Sequence, residues 1–383
     1  MVKSEVAIIG LGITSKLTAL ALATDVRRVT IFGEENPKIY KSNLVTFFSL
    51  NSINFLKDLG FEDLVIQSTP INQISCSKLE KFQHENKFQI NFKRKSKENG
   101  MGRVVINKNL NDVLDTQIKK NKNIFISHEV KVQNYEDNGH NKILILDNET
   151  KKSINLLIIA DKKSHLINKN FKNNIIKKEL KQTSIVMDVN VETNNHAYQF
   201  FTKKGALALL PITKNFASII WSLENDSSEL NYNIENMSKD INKTFKNITN
   251  FIEITNLQKY KLNFEFAKKI TSNSIILIGD AAHSLHPIAG QGLNLSIKDI
   301  LELKNKIEHF KYLGYPLGSS IILEEYENTR QSDNTIYTFA TNYLDEVLKS
   351  RNHLVNTISN LGILTIEKNN LLKNMIIKSA IGQ

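Results

Sequence analysis

Apolar residues recur along this chain in three rhythms, each implying a different element. Short unbroken runs come first: Val6–Ile9, Leu156–Ala160 and Ile275–Ile278 read as strands covered on both faces in a parallel sheet. Arg28–Phe32 follows the first of them as another strand. Helical spacing comes second. It appears at Leu17, Leu20 and Ala21, at Leu50, Ile53, Leu56 and Leu59 with a stop at Gly60, at Leu110, Val113, Leu114 and Ile118, and at Leu293, Ile297, Ile300, Leu301 and Ile307. Alternation is the third rhythm. Phe88, Ile90 and Phe92 alternate with Gln89, Asn91 and Lys93, while Ile185, Met187, Val189 and Val191 oppose Ser184, Asp188, Asn190 and Glu192. Residues 181–264 therefore read mostly as antiparallel sheet, with strands at Gln199–Ile212 and Phe216–Leu223 joined by a turn at Thr213–Asn215. Gly102–Ile106 precedes the third helix, and Ile124, Ile126, Val130 and Val132 mark strands beyond it. The expected fold is α/β in two domains, the alternating sheet lying between two nucleotide-type β-α stretches.

The punctuation between these elements carries the chemistry. Val6–Ile9 runs into Gly10, Leu11, Gly12, Ile13, Thr14 and Ser15 before the first helix, a Gly-x-Gly-x-x-Ser form of the dinucleotide fingerprint. Gly10 makes the tight turn, Gly12 lets a pyrophosphate approach the backbone, and Ser15 stands where the helix touches the strand. An acidic residue for the ribose is due just after the second strand. That position falls on Gly33, and Glu34 beside it is either the shifted contact or an exposed turn glutamate. At the other end of the chain, Gly279 and Asp280 close the strand Ile275–Ile278. Pro287, Gly290, Gln291 and Gly292 then form a turn whose glycines admit a flat ligand, and the helix that begins there presents free N–H groups and its positive dipole end.

The ungapped run GDAAHSLHPIAGQGLNLSIKD (279–299) resembles the C-terminal FAD fingerprint of the single-component aromatic hydroxylases, and more narrowly the flavin hydroxylases of ubiquinone biosynthesis. The resemblance implies a Rossmann-like FAD-binding domain, an inserted antiparallel-sheet substrate domain and a helical C-terminus. It places Asp280 on the ribityl chain and Pro287 near the isoalloxazine, with the helix start at Gly292, Leu293 and Asn294 facing the ring. It makes Asp161 a second cofactor contact, in a motif whose glycine is replaced here by Lys162. Phe201, Leu209, Pro211 and Trp221 either line an apolar substrate cavity or are plain core. Tyr326 and Arg330 fall on a helix packed on the FAD domain, and His283 reads as a packed, hydrogen-bonded residue rather than a base. The implied activity is hydroxylation of a polyprenylated aromatic ring with FAD, NADH or NADPH, and O2, through a flavin C4a-hydroperoxide. Expected boundaries are 1–64, 101–165 and 266–345 for the FAD domain, 65–100 and 166–265 for the substrate domain, and 346–383 for a C-terminal helical segment.

Composition narrows the partners. Net charge is +11, yet the lysines are dispersed among asparagines, as in KKNKN (119–123) and KNNIIKK (172–178), which reads as solvated surface and not as a nucleic-acid groove. One cysteine, Cys76, excludes an internal disulfide and a thiolate metal cluster, as suits a reducing cytoplasmic setting. No apolar run approaches the ~20 residues that span a bilayer. Apolar residues between Leu361 and Ile376 are interspersed with Lys368, Lys373 and Lys378, either a buried helix or a cationic surface element. The expected partners are a lipophilic aromatic substrate and either a membrane surface at its inner face or a quinone-biosynthesis complex. Two rival readings stand beside this one: a hydroxylase of another aromatic or polyene, and a flavin-fold scaffold without turnover.

Overall fold

The computed structural model describes residues 5–34, 44–79, 88–93, 100–139, 141–202, 204–249, 252–284 and 292–349, with 363, 365–367 and 369. From the N-terminus run β1 (Glu5–Ile9), α1 (Ile13–Leu22), β2 (Arg28–Phe32), β3 (Val45–Ser49), α2 (Leu50–Asp58), α3 (Glu62–Gln67), β4 (Thr69–Ile71), β5 (Gln73–Leu79), β6 (Phe88–Lys93), β7 (Gly102–Ile106), α4 (Asn107–Lys120) and β8 (Ile124–Ser127). A meander follows, formed by β9 (Val132–Asp137), β10 (Lys142–Leu146) and β11 (Lys151–Ile154). Then come β12 (Leu156–Ile159), α5 (Ile167–Asn170), β13 (Ile175–Asn190), β14 (His196–Thr202), β15 (Gly205–Thr213), β16 (Phe216–Glu224), α6 (Ile234–Phe245) and β17 (Glu253–Ala267). The last elements are β18 (Thr271–Ser272), β19 (Ile275–Leu277), β20 (His283–Ser284), α7 (Gly292–Tyr312) and α8 (Ser320–Lys349).

The unbroken apolar runs meet in one sheet of order β18-β19-β12-β1-β2-β8, in which β19, β12, β1, β2 and β8 are mutually parallel. Leu156–Ile159 and Ile275–Leu277 are wholly buried, which is why these strands carry no polar alternation. Each such side chain contributes on the order of 1.5–3 kcal/mol by leaving water. Residues 5–9 and 275–277, far apart in the chain, thus share a single sheet. Helix α1 packs beside α4 through a buried cation: Lys16 is 1% exposed, its Nζ donates to Asn111 Oδ1 at 2.8 Å and lies 2.5 Å from Asp115 Oδ1.

The alternating segments build the second sheet, of order β20-β17-β13-β16-β15-β14-β5-β6. It is mixed rather than purely antiparallel, since β14 runs parallel to β5. The expected single strand Gln199–Ile212 is in fact a hairpin, β14 turning into β15 just before Gly205. Gly205 has φ +147°, and a Cβ there would meet the Ser222 carbonyl, so the turn needs glycine.

Pairing register sorts this sheet into two faces. Ile185, Met187, Leu207, Leu209, Ile219 and Trp221 point to the back, where α6 covers them with Met237, Ile241 and Phe245. The front carries Ala197, Leu210 and Ile212, which pack on Val45 and Phe47 of β3, Leu50 of α2 and Val104 of β7. Of the four residues read as either cavity lining or core, three lie on the back face. Leu209 and Trp221 belong to the back core, and Pro211, paired with Ala217 of that core, shares their face. Only Phe201 stands on the front, opposite Ala206. The aromatics were read without a register, and a shift of one position reverses a strand's faces.

Helix α8 closes the first sheet, burying Ile322, Leu323 and Tyr326, while Glu327 accepts from the backbone N–H groups of Ile270 and Thr271 at 2.7 and 3.1 Å. Most of the C-terminal stretch Leu361–Ile376 lies outside the described residues, but Glu367 Oε2 accepts from the Asn91 N–H of β6 at 3.0 Å. Among the described residues no helix is long and apolar enough to cross a membrane. Trp221→Ala is expected to cost ~3–5 kcal/mol of stability, as a large core truncation does, while FAD content of the surviving folded protein stays that of wild type. Denaturant unfolding together with flavin absorbance checks both halves of that statement.

Candidate cofactor and active site

Four chain segments line up along the carboxyl edge of the first sheet: Gly33 and Glu34 after β2, Gly10–Gly12 after β1, Asp161 and Lys162 after β12, and Gly279 and Asp280 after β19. Ligands of open α/β sheets gather at that edge. Gly10 has φ +110°, and its N–H donates to the Phe32 carbonyl at 2.8 Å, tying the turn to β2. A Cβ on Gly10 would sit 3.0 Å from the Asp161 Cβ and 3.2 Å from the Ser15 Oγ. Ser15 is buried beneath the turn, so the third fingerprint position serves packing here. Gly12 is the N-cap of α1, no side chain caps that helix, and a Cβ on Gly12 would have nothing within 4 Å. Free N–H groups thus face open space wide enough for a phosphate.

Gly33 is explained by the same turn. A Cβ there would lie 2.9 Å from both the Gly10 carbonyl carbon and the Leu11 nitrogen, so no acid fits at that position. Glu34 is exposed and ion-paired with Lys131 at 2.6 Å, and that lysine's hydrogen bond and charge hold its carboxyl below the usual range. Asp161 spends one carboxylate oxygen on the Lys163 N–H at 2.9 Å, while Lys162 Nζ donates to Ser284 Oγ at 2.8 Å.

The distal fingerprint is assembled around Asp299, a residue of α7 that is fully buried. Its Oδ2 accepts from the Gly279 N–H at 3.0 Å and lies 2.6 Å from His283 Nε2, and its Oδ1 accepts from Arg330 Nε at 2.9 Å. Arg330 continues the chain to Asp333 and Asn334 at 2.7 and 2.8 Å. Burial pushes the Asp299 carboxyl up, but His283, Arg330 and the Gly279 N–H outweigh it, leaving it below its ordinary value. Asp299 and its partners fix the backbone on either side of Asp280, which is exposed at the strand end. His283 is the packed, hydrogen-bonded residue expected of it. Gly279, with φ +56°, brings Thr14 of α1 and Ser296 of α7 against one point, where a Cβ would sit 2.8 and 3.0 Å from them.

Asn294 in the first turn of α7 accepts from the Ser49 N–H and Ser52 Oγ at 2.9 and 2.7 Å and donates to the Phe47 carbonyl at 2.7 Å. Its side chain is committed to joining α7 to β3 and α2, so only its backbone is left to face a ligand. Among the described residues Gly292 has no neighbour within 4 Å of a Cβ position, as at Gly12, and Leu293 follows it on the helix. Pro287, Gly290 and Gln291 lie outside the described residues. A cavity of ≈ 230 Å³ lined by His196, Tyr198, Leu209 and Ile248 opens on the back of the second sheet, away from this edge. It is not where the chemistry would occur.

The open cradle at Gly12, and the turn that Gly10 and Gly33 leave uncrowded, suit an extended dinucleotide. A match to the family model described as "FAD binding domain" covers residues 3–333. The chain belongs to that family. It is 27% identical over 206 residues to ubiquinone hydroxylase UbiL of Rhodospirillum rubrum, covering 52% of this chain and 48% of that protein. It is 22% identical to the mitochondrial ubiquinone biosynthesis monooxygenase COQ6 of Drosophila melanogaster, over 91% of this chain and 81% of that one. Its match to UbiL thus spans about half the length of that relative. In fold it is similar to p-nitrophenol 4-monooxygenase PnpA of Pseudomonas putida, with a TM-score of 0.76, 15% identity, and 99% and 98% of the two chains covered.

The residue at this edge that sequence reasoning missed is Asp299, which lacked a spacing rule because its partner Arg330 lies far off in sequence. Gly33→Ala is expected to lose ~1–3 kcal/mol and to weaken FAD binding, so that the loss measured by denaturant is larger with FAD present than without it. Asp299→Asn is expected to cost ~3–5 kcal/mol near neutral pH, because it removes the buried one of the two carboxylates that pair with Arg330 and leaves the exposed Asp333 alone. The folded Asp299 carboxyl is held low, so its stabilisation is present above the unfolded value near 3.9 and lost as pH falls through the folded one. The stability gap between wild type and variant should accordingly stay level from about pH 5 to 8 and close below about pH 4.

Proposed function

We propose that this protein is an FAD-dependent monooxygenase that hydroxylates the aromatic ring of a polyprenylated ubiquinone precursor, with NADH or NADPH and O2 as co-substrates. The observation that carries the reading is the unbroken run 279–299 folded around Asp299, in a chain whose relatives are a ubiquinone hydroxylase and a ubiquinone biosynthesis monooxygenase. Bound at the sheet edge, FAD supplies the electron transfer and oxygen activation that no side chain can. The chain supplies position and dryness. Gly12 and the N-terminus of α1 would seat the pyrophosphate, Asp280 the ribityl hydroxyls, and the opening turn of α7 the reducible edge of the ring. Phe201, Ala206, Ala208 and Gln199 on the front of the second sheet face the FAD domain and are buried, so the space next to them excludes water. Cys76 shares that face, but burial pushes its thiol up to about 12, so it stays protonated and takes no part in nucleophilic chemistry.

A prenylated ring does not travel freely through water, at ~25 cal/mol for each Å² of apolar surface exposed. Delivery from a membrane surface, or from a complex of quinone-biosynthesis proteins, follows from that substrate, and places the protein in the cytoplasm or at the inner membrane face. The test is turnover of holoenzyme with a short-prenyl phenol and with the same phenol lacking the prenyl tail, each with NADH and with NADPH, the product identified by mass. Gain of one oxygen atom, with kcat/KM at least about tenfold higher for the prenylated ring, is the expected result. A preference for the tail-less phenol would transfer the protein to the hydroxylases of other aromatics. Protein that holds FAD but turns over neither ring would leave the scaffold reading.

A further inference from the structure

Lys162 occupies a position where the resembled hydroxylases carry glycine, and the structure shows what the replacement brings. It follows Asp161 directly at the end of β12, the strand that lies between β1 with its Gly10–Gly12 turn and β19 with Asp280. The two strand ends are hooked together, since the Ile9 carbonyl accepts from the N–H groups of Ala160 and Asp161 at 3.0 and 3.2 Å. The Lys162 side chain is partly buried, and its ammonium is held by one neutral partner, Ser284 Oγ of β20, at 2.8 Å. Ser284 is itself 6% exposed, so the tether is fixed.

The charge balance around this ammonium differs from that of three other lysines withdrawn from solvent and matches that of Lys152, whose Nζ is also held by a neutral hydroxyl, Thr30 Oγ1, at 2.7 Å. Lys16 is paired with Asp115, Lys142 with Asp137, and Lys204 with Glu229. Among the described residues no carboxylate lies within ion-pair distance of Lys162, and Asp161 beside it has turned one oxygen back onto the Lys163 N–H. A half-buried cation without a counter-charge, at the edge where a dinucleotide's two phosphates arrive, fits an anionic ligand. The α1 N-terminus, which follows the neighbouring strand β1 on the same sheet edge, is uncapped and has no acidic residue in its first turn, so it favours the same sign of charge.

We propose that Lys162 is a cofactor-binding residue of this protein, its ammonium serving as counter-charge to the FAD pyrophosphate, with Ser284 as the residue that positions it. The inference needs only that FAD binds, and stands or falls apart from the ring that is hydroxylated. Charge-assisted hydrogen bonds to phosphate are stronger than neutral ones, and partial burial limits their screening by salt.

The experiment titrates FAD into apo-protein by quenching of flavin fluorescence, for wild type, Lys162→Gln, Lys162→Arg and Ser284→Ala, at low and high NaCl. ADP, which carries the pyrophosphate without the flavin, serves as competitor, and the thermal midpoint of each apo-protein is recorded. Lys162→Gln should weaken FAD and ADP alike by about tenfold at low salt, with the difference narrowing at high salt, while Lys162→Arg binds within about threefold of wild type. Ser284→Ala should show a smaller loss in the same direction, and all apo-proteins should melt together. Unchanged affinity in Lys162→Gln would overturn the proposal. A loss for FAD with none for ADP would also overturn it, since the contact would then belong to the ribityl–flavin half. A lowered apo midpoint with unaltered ligand affinity would make the Lys162–Ser284 bond a tether between the sheets and nothing more.

Discussion

Asp299 is a carboxylate placed where water does not reach it, and the geometry of the cofactor edge depends on how that charge is satisfied. Three donors converge on its two oxygens: the Gly279 N–H, the His283 ring and the Arg330 guanidinium. They come from the turn after β19, from β20 and from α8, while Asp299 itself rides on α7. A buried charge so held contributes little to stability over an apolar substitute, but removing one partner is costly, which makes the arrangement all-or-none. Its effect is to fix the distance between the strand end bearing Asp280 and the helix whose first turn faces the ring. The same α7 is fastened to the N-terminal half of the chain through Asn294, whose amide bridges Ser49, Ser52 and Phe47. On the proposed reading the site is composite: the first thirty-odd residues would build its phosphate half and residues near 280–300 its flavin half, joined through one helix.

The parts of the fold that obey a local period were legible in the sequence. The apolar runs at β1, β2, β12 and β19 became the parallel sheet because strands covered on both faces need no alternation, and the glycines at 10, 12 and 60 marked turns as their chemistry requires. What was not legible rests on three-dimensional register. Trp221 and Leu209 read equally as cavity lining or core in a string of aromatics and aliphatics, and only the pairing of β15 with β16 shows that they turn toward α6. The strand Gln199–Ile212 concealed its own turn, for which Gly205 alone carried the signal. Asp299 lay inside a recognised run, yet no spacing rule connects it to Arg330, thirty-one residues on.

Two departures from the expected fingerprint look different once the neighbours are seen. Gly33 had seemed a lost ribose ligand; the Gly10–Leu11 turn leaves no room there for a side chain. Ser15 fills the space under that same turn and so replaces glycine at a contact where small size is the requirement. Neither weakens the case for a bound dinucleotide. Both show one constraint, the close approach of β1's turn to β2 and β12, acting at positions far apart in sequence.

The central claim is that one FAD spans both halves of this composite edge, and hydrogen exchange on the apo-protein as FAD is added tests it most directly. The account predicts slowed exchange at the amides of Gly12–Ser15, Gly279–Ala282 and Gly292–Leu293 together, along one common binding curve with one FAD per chain. Protection confined to the N-terminal turn, or appearing at separate FAD concentrations in the two halves, would contradict it.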